Sequence, residues 1–151
     1  MSGTGHTVKS YEEEMQSLND NLVMMGSLTE NQMADAMAAV IKVDKESVDK
    51  IVKNDGKINE LRTTIDNQIT NVLVKRAPMA IDLRITISTM KISHDLERIG
   101  DLAKSVAKKV KPLPVDLPDE LIGSLRRLGD CLLYTSPSPR DDPLSRMPSS
   151  A

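Results

Sequence analysis

The sequence has no tryptophan and no phenylalanine, and its tyrosines are only Tyr11 and Tyr134. A compact α/β globule usually draws on aromatic bulk. Here the apolar content falls to Met, Leu, Ile, Val and Ala, with nine methionines, which points to an elongated bundle with an adaptable core. The single cysteine, Cys131, excludes an internal disulfide. No apolar run approaches the roughly 18–20 residues that span a membrane. The segment from Met1 to Lys9 lacks the apolar core of a signal peptide. Charge of neither sign dominates: Lys and Arg number 20 against 22 Asp and Glu. That balance gives no electrostatic pull towards nucleic acid. A glycine-rich phosphate loop and a nucleophile–base pair are also missing. The expectation is a soluble, cytoplasmic, non-enzymatic protein.

What is present is helical periodicity. From Val8 an apolar seam runs through Tyr11, Met15, Leu18, Leu22 and Met25, then Met33, Met37 and Val40. Its steps of three and four predict a long amphipathic helix of coiled-coil type, ending near Lys42. Gly26 is a weak point within it, costing about 1 kcal/mol relative to alanine. Asp44 can cap a second helix, whose seam is Val48, Ile51, Ile58, Ile65, Ile69 and Val72. Two seam positions are polar, Asp55 and Arg62, one heptad apart; they set register or snorkel to water. Arg76-Ala77-Pro78 ends the pattern, because proline disfavours helix at the residue before it.

A third helix is expected from about Met79 to Lys109. One stripe, Ile81, Ile85, Ile92, Leu96, Ile99, Ala103 and Val106, is its expected core face. A second stripe holds Leu83, Met90, His94, Glu97, Asp101 and Lys104. It begins apolar and turns polar at His94, which suggests a polar patch bordering a groove. Lys111 to Pro118 contains three prolines, and Pro118-Asp119-Glu120 restarts a helix with Leu121, Ile122, Leu125 and Leu128 on one face. From Cys131 to Ala151 there are four prolines and five serines and little to bury. The expected organisation is a frayed N-terminus over 1–7 and an all-α, antiparallel three-helix bundle over 8–110. A linker over 111–118, a truncated fourth helix over 119–132 and a disordered tail over 133–151 follow.

Glu97 and Asp101 lie four residues apart, so their carboxylates sit one above the other on a helix face and can reach one cation. The bare spacing equally describes a solvated face. His94 on the same stripe, Gly100 beside Asp101, and Asp55 on the preceding helix favour a site. Carboxylates take hard or borderline cations, Mg, Mn, Fe or Zn, and His94 would tilt the choice to Fe or Zn. The di-iron bundle enzymes use Glu-x-x-His; this chain has the reverse order, His94-x-x-Glu97, and no second copy. Redox catalysis is therefore not expected.

The run His94-Asp-Leu-Glu-Arg-Ile-Gly-Asp-Leu-Ala-Lys104 resembles the third helix of the PhoU family, regulators of high-affinity phosphate transport. Lys75-Arg-Ala-Pro-Met-Ala-Ile-Asp-Leu-Arg84 resembles that family's turn into the same helix, and His6-Thr-Val-Lys-Ser-Tyr11 fits its start. The resemblance covers about residues 5–130. It implies one complete three-helix repeat of two, with the helix from Asp119 opening the second. It implies that Glu97 and Asp101 are a copy of the family's metal-holding Glu/Asp-xxx-Asp motif, with Asp55 a further ligand. Asn59 and Arg62 stand where the family places two more acids. It also implies a homodimer that damps phosphate uptake through the phosphate ABC transporter and its sensor histidine kinase. The competing reading is a metal-free helical interaction module in which Glu97 and Asp101 are solvated. The tail Cys131-Leu-Leu-Tyr-Thr-Ser-Pro-Ser-Pro-Arg-Asp141, ending Ser145-Arg-Met-Pro-Ser-Ser-Ala151, resembles translated sequencing adapter and is left out of the fold expectation.

Overall fold

A computed structural model describes residues 3–134 of the chain. Four α-helices follow one another: α1 (Gly3–Lys42), α2 (Lys45–Arg76), α3 (Ile81–Lys108) and α4 (Asp119–Tyr134). The first three pack mutually as an antiparallel bundle, and α4 lies against α1. At 1.5 Å per residue α1 is roughly 60 Å long. It begins at Gly3, so residues 3–7, expected to fray, continue the helix. The expected tail lies outside the described residues from position 135 onwards. Its first residues, however, extend α4 to Tyr134: Leu132 and Leu133 continue the helix's apolar face and line a cleft with Gly26, Met33, Leu96 and Ile99.

The α1–α2 turn forms as the sequence predicts. The Asp44 carboxylate accepts the backbone N–H groups of Glu46 and Ser47, at 3.1 and 3.2 Å, and the Ser47 hydroxyl at 2.5 Å. These bonds, the hydroxyl's above all, hold its carboxyl below the usual aspartate range. The other turn is made by Ala77, in the left-handed region at φ 42°, and Ala80 at φ 49°, on either side of Pro78. Arg76 ties that end down across the bundle, donating to Ser10 Oγ at 2.9 Å and to the Glu14 carboxylate at 3.3 and 3.4 Å.

The seam of α2 is entirely buried: Val48, Ile51, Ile58, Ile65, Ile69 and Val72, with Asp55 among them. The other two helices depart from expectation. In α1 Leu18, Met25, Met37 and Val40 of the expected seam are buried, but the most buried line runs Leu18, Met25, Thr29, Gln32, Ala36 and Ala39. It keeps the heptad through two polar residues, whereas Met33 and Met37 turn towards α4. In α3 the expected core stripe is largely outside: Ile81, Ile85, Ile92 and Val106 are exposed, Leu96 and Ile99 half-buried, and only Ala103 fully buried. The buried face is Thr86, Thr89, Ser93, Gly100, Ala103 and Ala107. Small residues let α3 approach its neighbours closely. The Thr86 and Ser93 hydroxyls donate to carbonyls of their own helix, Asp82 O and Met90 O, both at 2.8 Å, so their burial leaves no hydroxyl unsatisfied.

The apolar core is divided. One cluster gathers Ala36, Val40, Val48, Ile51, Ala103, Ala107 and Val110; the other gathers Leu18, Met25, Ile58, Ile65 and Ile69. Thr29 and Gln32 on α1, Asp55 on α2 and Gly100 on α3 occupy the level between them. α4 adds a smaller contact, with buried Gly129 set so close to Met37 that a Cβ there would lie 3.0 Å from Met37 Cε.

Gly26 interrupts α1 without bending it out of the bundle, and a Cβ at that position would meet nothing within 4 Å. Gly26→Ala is therefore expected to stabilise the chain by about 0.5–1 kcal/mol through helix propensity and a less flexible unfolded state. Thermal unfolding of the two proteins checks this; an unchanged or lower midpoint would contradict it.

Candidate functional site

The polar layer is built from all three long helices. Asp55, on the α2 seam, is only 3% exposed. Its Oδ1 accepts from Gln32 Nε2 at 2.9 Å, and the same amide donates to Gly100 O at 2.9 Å. Its Oδ2 accepts from Lys104 Nζ at 2.6 Å and from Asn59 Nδ2 at 3.4 Å. Lys104 Nζ also donates to Asp101 Oδ1 at 2.6 Å. Asp101 is the outer member, with 47% of its side chain exposed against 22% for Lys104. Bonding to Asp101 first, and then to Asp55, raises the Lys104 pKa above the usual lysine range against the opposing effect of burial. The cluster thus grades from a fully buried carboxylate, through a shared ammonium, to a carboxylate at the surface.

Of the residues expected to form a site, the structure brings Asp55 and Asp101 together around Lys104. Glu97 is half-buried and has no hydrogen-bond or ion-pair partner among the described residues. His94 turns to α2. Its Nε2 lies 3.5 Å from Asp66 Oδ1 and 3.4 Å from Arg62 Nη2, and Arg62 Nε lies 3.6 Å from Asp66 Oδ2. Arg62, a seam position by spacing, sits half-buried at the rim with Asp66, and the exposed His94 completes the trio. Among the described residues no group of three or more His, Cys, Asp or Glu side chains is placed to hold a metal ion. A metal at Asp101 would also have to displace an ammonium already bonded to it. The residues present do not fit a metal cluster, and no step of the function is derived through one.

Two members of the layer escape sequence reasoning. Gln32 sits one heptad beyond Met25, a spacing that could have identified it. Lys104 lies three residues after Asp101 on the polar stripe, but its reach to Asp55 depends on the relative depth of α2 and α3.

The geometry can be set beside known proteins. The PhoU domain profile matches residues 22–110, the span that holds α2, α3 and the whole polar layer. The chain belongs to the PhoU family. A phosphate-specific transport system accessory protein PhoU homolog from Caulobacter vibrioides is 37% identical over 127 residues, covering 83% of this chain and 55% of the relative. One from Xylella fastidiosa is 38% identical over 124 residues, covering 82% and 51%. The crystal structure of PhoU from Pseudomonas aeruginosa superposes with a TM-score of 0.72 at 30% identity, covering 82% of this chain and 59% of that one. The chain therefore spans about half the length of the curated relatives it matches. The PhoU-type all-α bundle is what the structure shows, with no strand among the described residues. Among the described residues no helix is long and apolar enough to cross a membrane.

The layer's energetics are testable by taking away one member at a time. Asp55→Ala leaves Lys104 and Gln32 without their buried partner and is expected to cost about 3–5 kcal/mol. Asp101→Asn removes a half-exposed partner and is expected to cost no more than ~1 kcal/mol. Urea unfolding of both variants checks the ranking; equal losses would show that Asp55 is not the anchor.

Proposed function

We propose that this PhoU-family chain regulates phosphate uptake and phosphate-responsive signalling by contacts with a phosphate ABC transporter and its sensor histidine kinase on the cytoplasmic side. The observation that carries the reading is family membership: the PhoU profile covers residues 22–110. The relatives named as phosphate-specific transport accessory proteins match across 82–83% of the chain. The form of the molecule supports a binding role. The polar layer of Gln32, Asp55 and Lys104 holds the helices together, and the surface is long helix faces. Regulation is negative in this reading: the chain damps uptake when phosphate is plentiful. Expressed in a bacterium deleted for its own PhoU, with a full-length relative as positive control, the chain should lower phosphate uptake under phosphate-replete conditions. It should also co-purify with the transporter and the kinase. Unchanged uptake together with no co-purification, while the control works, would refute the reading.

Homodimerisation belongs to the same proposal. Ile81, Ile85 and Ile92 present exposed apolar surface along one side of α3, and removing such side chains from water is worth about 1.5–3 kcal/mol each when burial is complete. Sedimentation should show a mass that rises to twice the chain's with concentration, and Ile85→Lys/Ile92→Lys should return it to a monomer. A monomer at all concentrations would count against this contact.

A further inference from the structure

Two carboxylates from different helices, Asp55 of α2 and Asp101 of α3, converge on one point. That point is occupied by Lys104 Nζ, 2.6 Å from an oxygen of each. The two oxygens lie at most twice that distance apart, a span that one divalent ion with oxygen bonds of about 2.0–2.6 Å could bridge. The convergence has the form of a cation site, and the cation in it belongs to the chain. Asp55 is satisfied on both oxygens: Gln32 donates to Oδ1, while Lys104 and Asn59 donate to Oδ2. A carboxylate offers about four lone-pair sites, so little of Asp55 is left for a further ligand. Glu97, one turn before Asp101, does not join the convergence, and Asn59 contributes an amide where a carboxylate would add charge.

We propose that Lys104 is the built-in counter-cation of the α2–α3 acidic site. It closes that site to metal in the natural chain, and its removal opens a divalent-cation site bounded by Asp55 and Asp101. The physical reason is competition. The ammonium is tethered to the same helix as Asp101, so its effective concentration at the two carboxylates is set by a short linker, in the millimolar range or above. A free ion must displace it and also shed its own hydration shell. Without the ammonium, Asp55 is a buried, uncompensated charge, and an ion that binds the folded state alone stabilises that state by mass action. This inference does not rest on the regulatory reading, and either can fail without the other.

The test uses the full 151-residue chain in five forms: unaltered, Asp101→Asn, Lys104→Met, Lys104→Arg, and Lys104→Met/Asp101→Asn. Each is titrated with Mn2+ calorimetrically and melted with Mn2+ or with EDTA. The unaltered chain and Lys104→Arg, which keeps a cation in place, are expected to bind no Mn2+ at the site and to melt at the same temperature in both conditions. Lys104→Met is expected to melt lower and to bind one Mn2+. Its midpoint should rise by about 4 °C or more in the ion's presence. The double variant is expected to lose that response. Stoichiometric metal in the unaltered chain that disappears on Asp101→Asn would overturn the proposal. So would a folded Lys104→Met chain whose melting Mn2+ leaves unchanged and which binds none. The unaltered-chain and Lys104→Arg arms remain decisive even where Lys104→Met does not fold.

Discussion

The bundle depends on one buried carboxylate. Asp55 sits on the seam that α2 turns to its neighbours, where a charge without partners would cost several kcal/mol. Its partners come from the other two long helices: the Gln32 amide from α1 and the Lys104 ammonium from α3. An apolar seam can slide by a heptad and still find apolar company. This contact cannot, because sliding α2 takes from the buried Asp55 its partners on α1 and α3 at once. The two apolar clusters on either side supply the burial that drives association. The layer between them fixes which residues of the three helices share a level.

That division explains the unusual face of α3. A helix that buries its largest side chains maximises apolar burial but stands further from its neighbours. α3 instead buries Thr86, Thr89, Ser93, Gly100, Ala103 and Ala107 and keeps its isoleucines at the flanks and outside. Close approach, rather than bulk, is what this interface is made for. The displaced apolar residues then form surface of their own. Leu96 packs on the Leu18–Ile69 cluster and, with Ile99, lines a cleft shared with the end of α4, while Ile81, Ile85 and Ile92 remain exposed. Their exposure is a consequence of how α3 packs.

The α2 seam was fully legible in the sequence because bulk and burial coincide there: every large apolar residue at heptad spacing is inside, and the one acid among them announced itself as polar. The break at Pro78 and the cap at Asp44 were legible for the same reason, since each rests on local chemistry that does not depend on tertiary context. On α3 the signal failed. Periodicity weighs residues by hydropathy, and threonine, serine and glycine carry almost none, so the stripe of isoleucines was read as core. On α1 the methionines at 33 and 37 drew the seam away from Thr29 and Gln32, because α1 has two packed faces and only one was assumed. The acidic pair was half legible. Spacing placed Asp101 beside a possible partner on its own helix, but the relative depth of α2 and α3, which decides that Asp55 shares Lys104, is not written in either helix alone.

Gly100 connects that depth to the chemistry. A Cβ at this position would lie 3.1 Å from Ile58 Cδ1, closer than an ordinary contact, and 3.7 Å from Asp55 Oδ1, so a side chain there has to push Ile58 aside. The bare position lies next to Asp101 and one turn before Lys104. The Lys104–Asp55 contact at 2.6 Å joins α2 and α3 at this level and lengthens if the helices move apart. The same bare backbone leaves Gly100 O open to the Gln32 amide, which carries the constraint to α1. The glycine, the buried acid and the shared lysine are therefore one device. The first sets the helix separation, the second makes that separation obligatory, and the third makes it neutral enough to be stable.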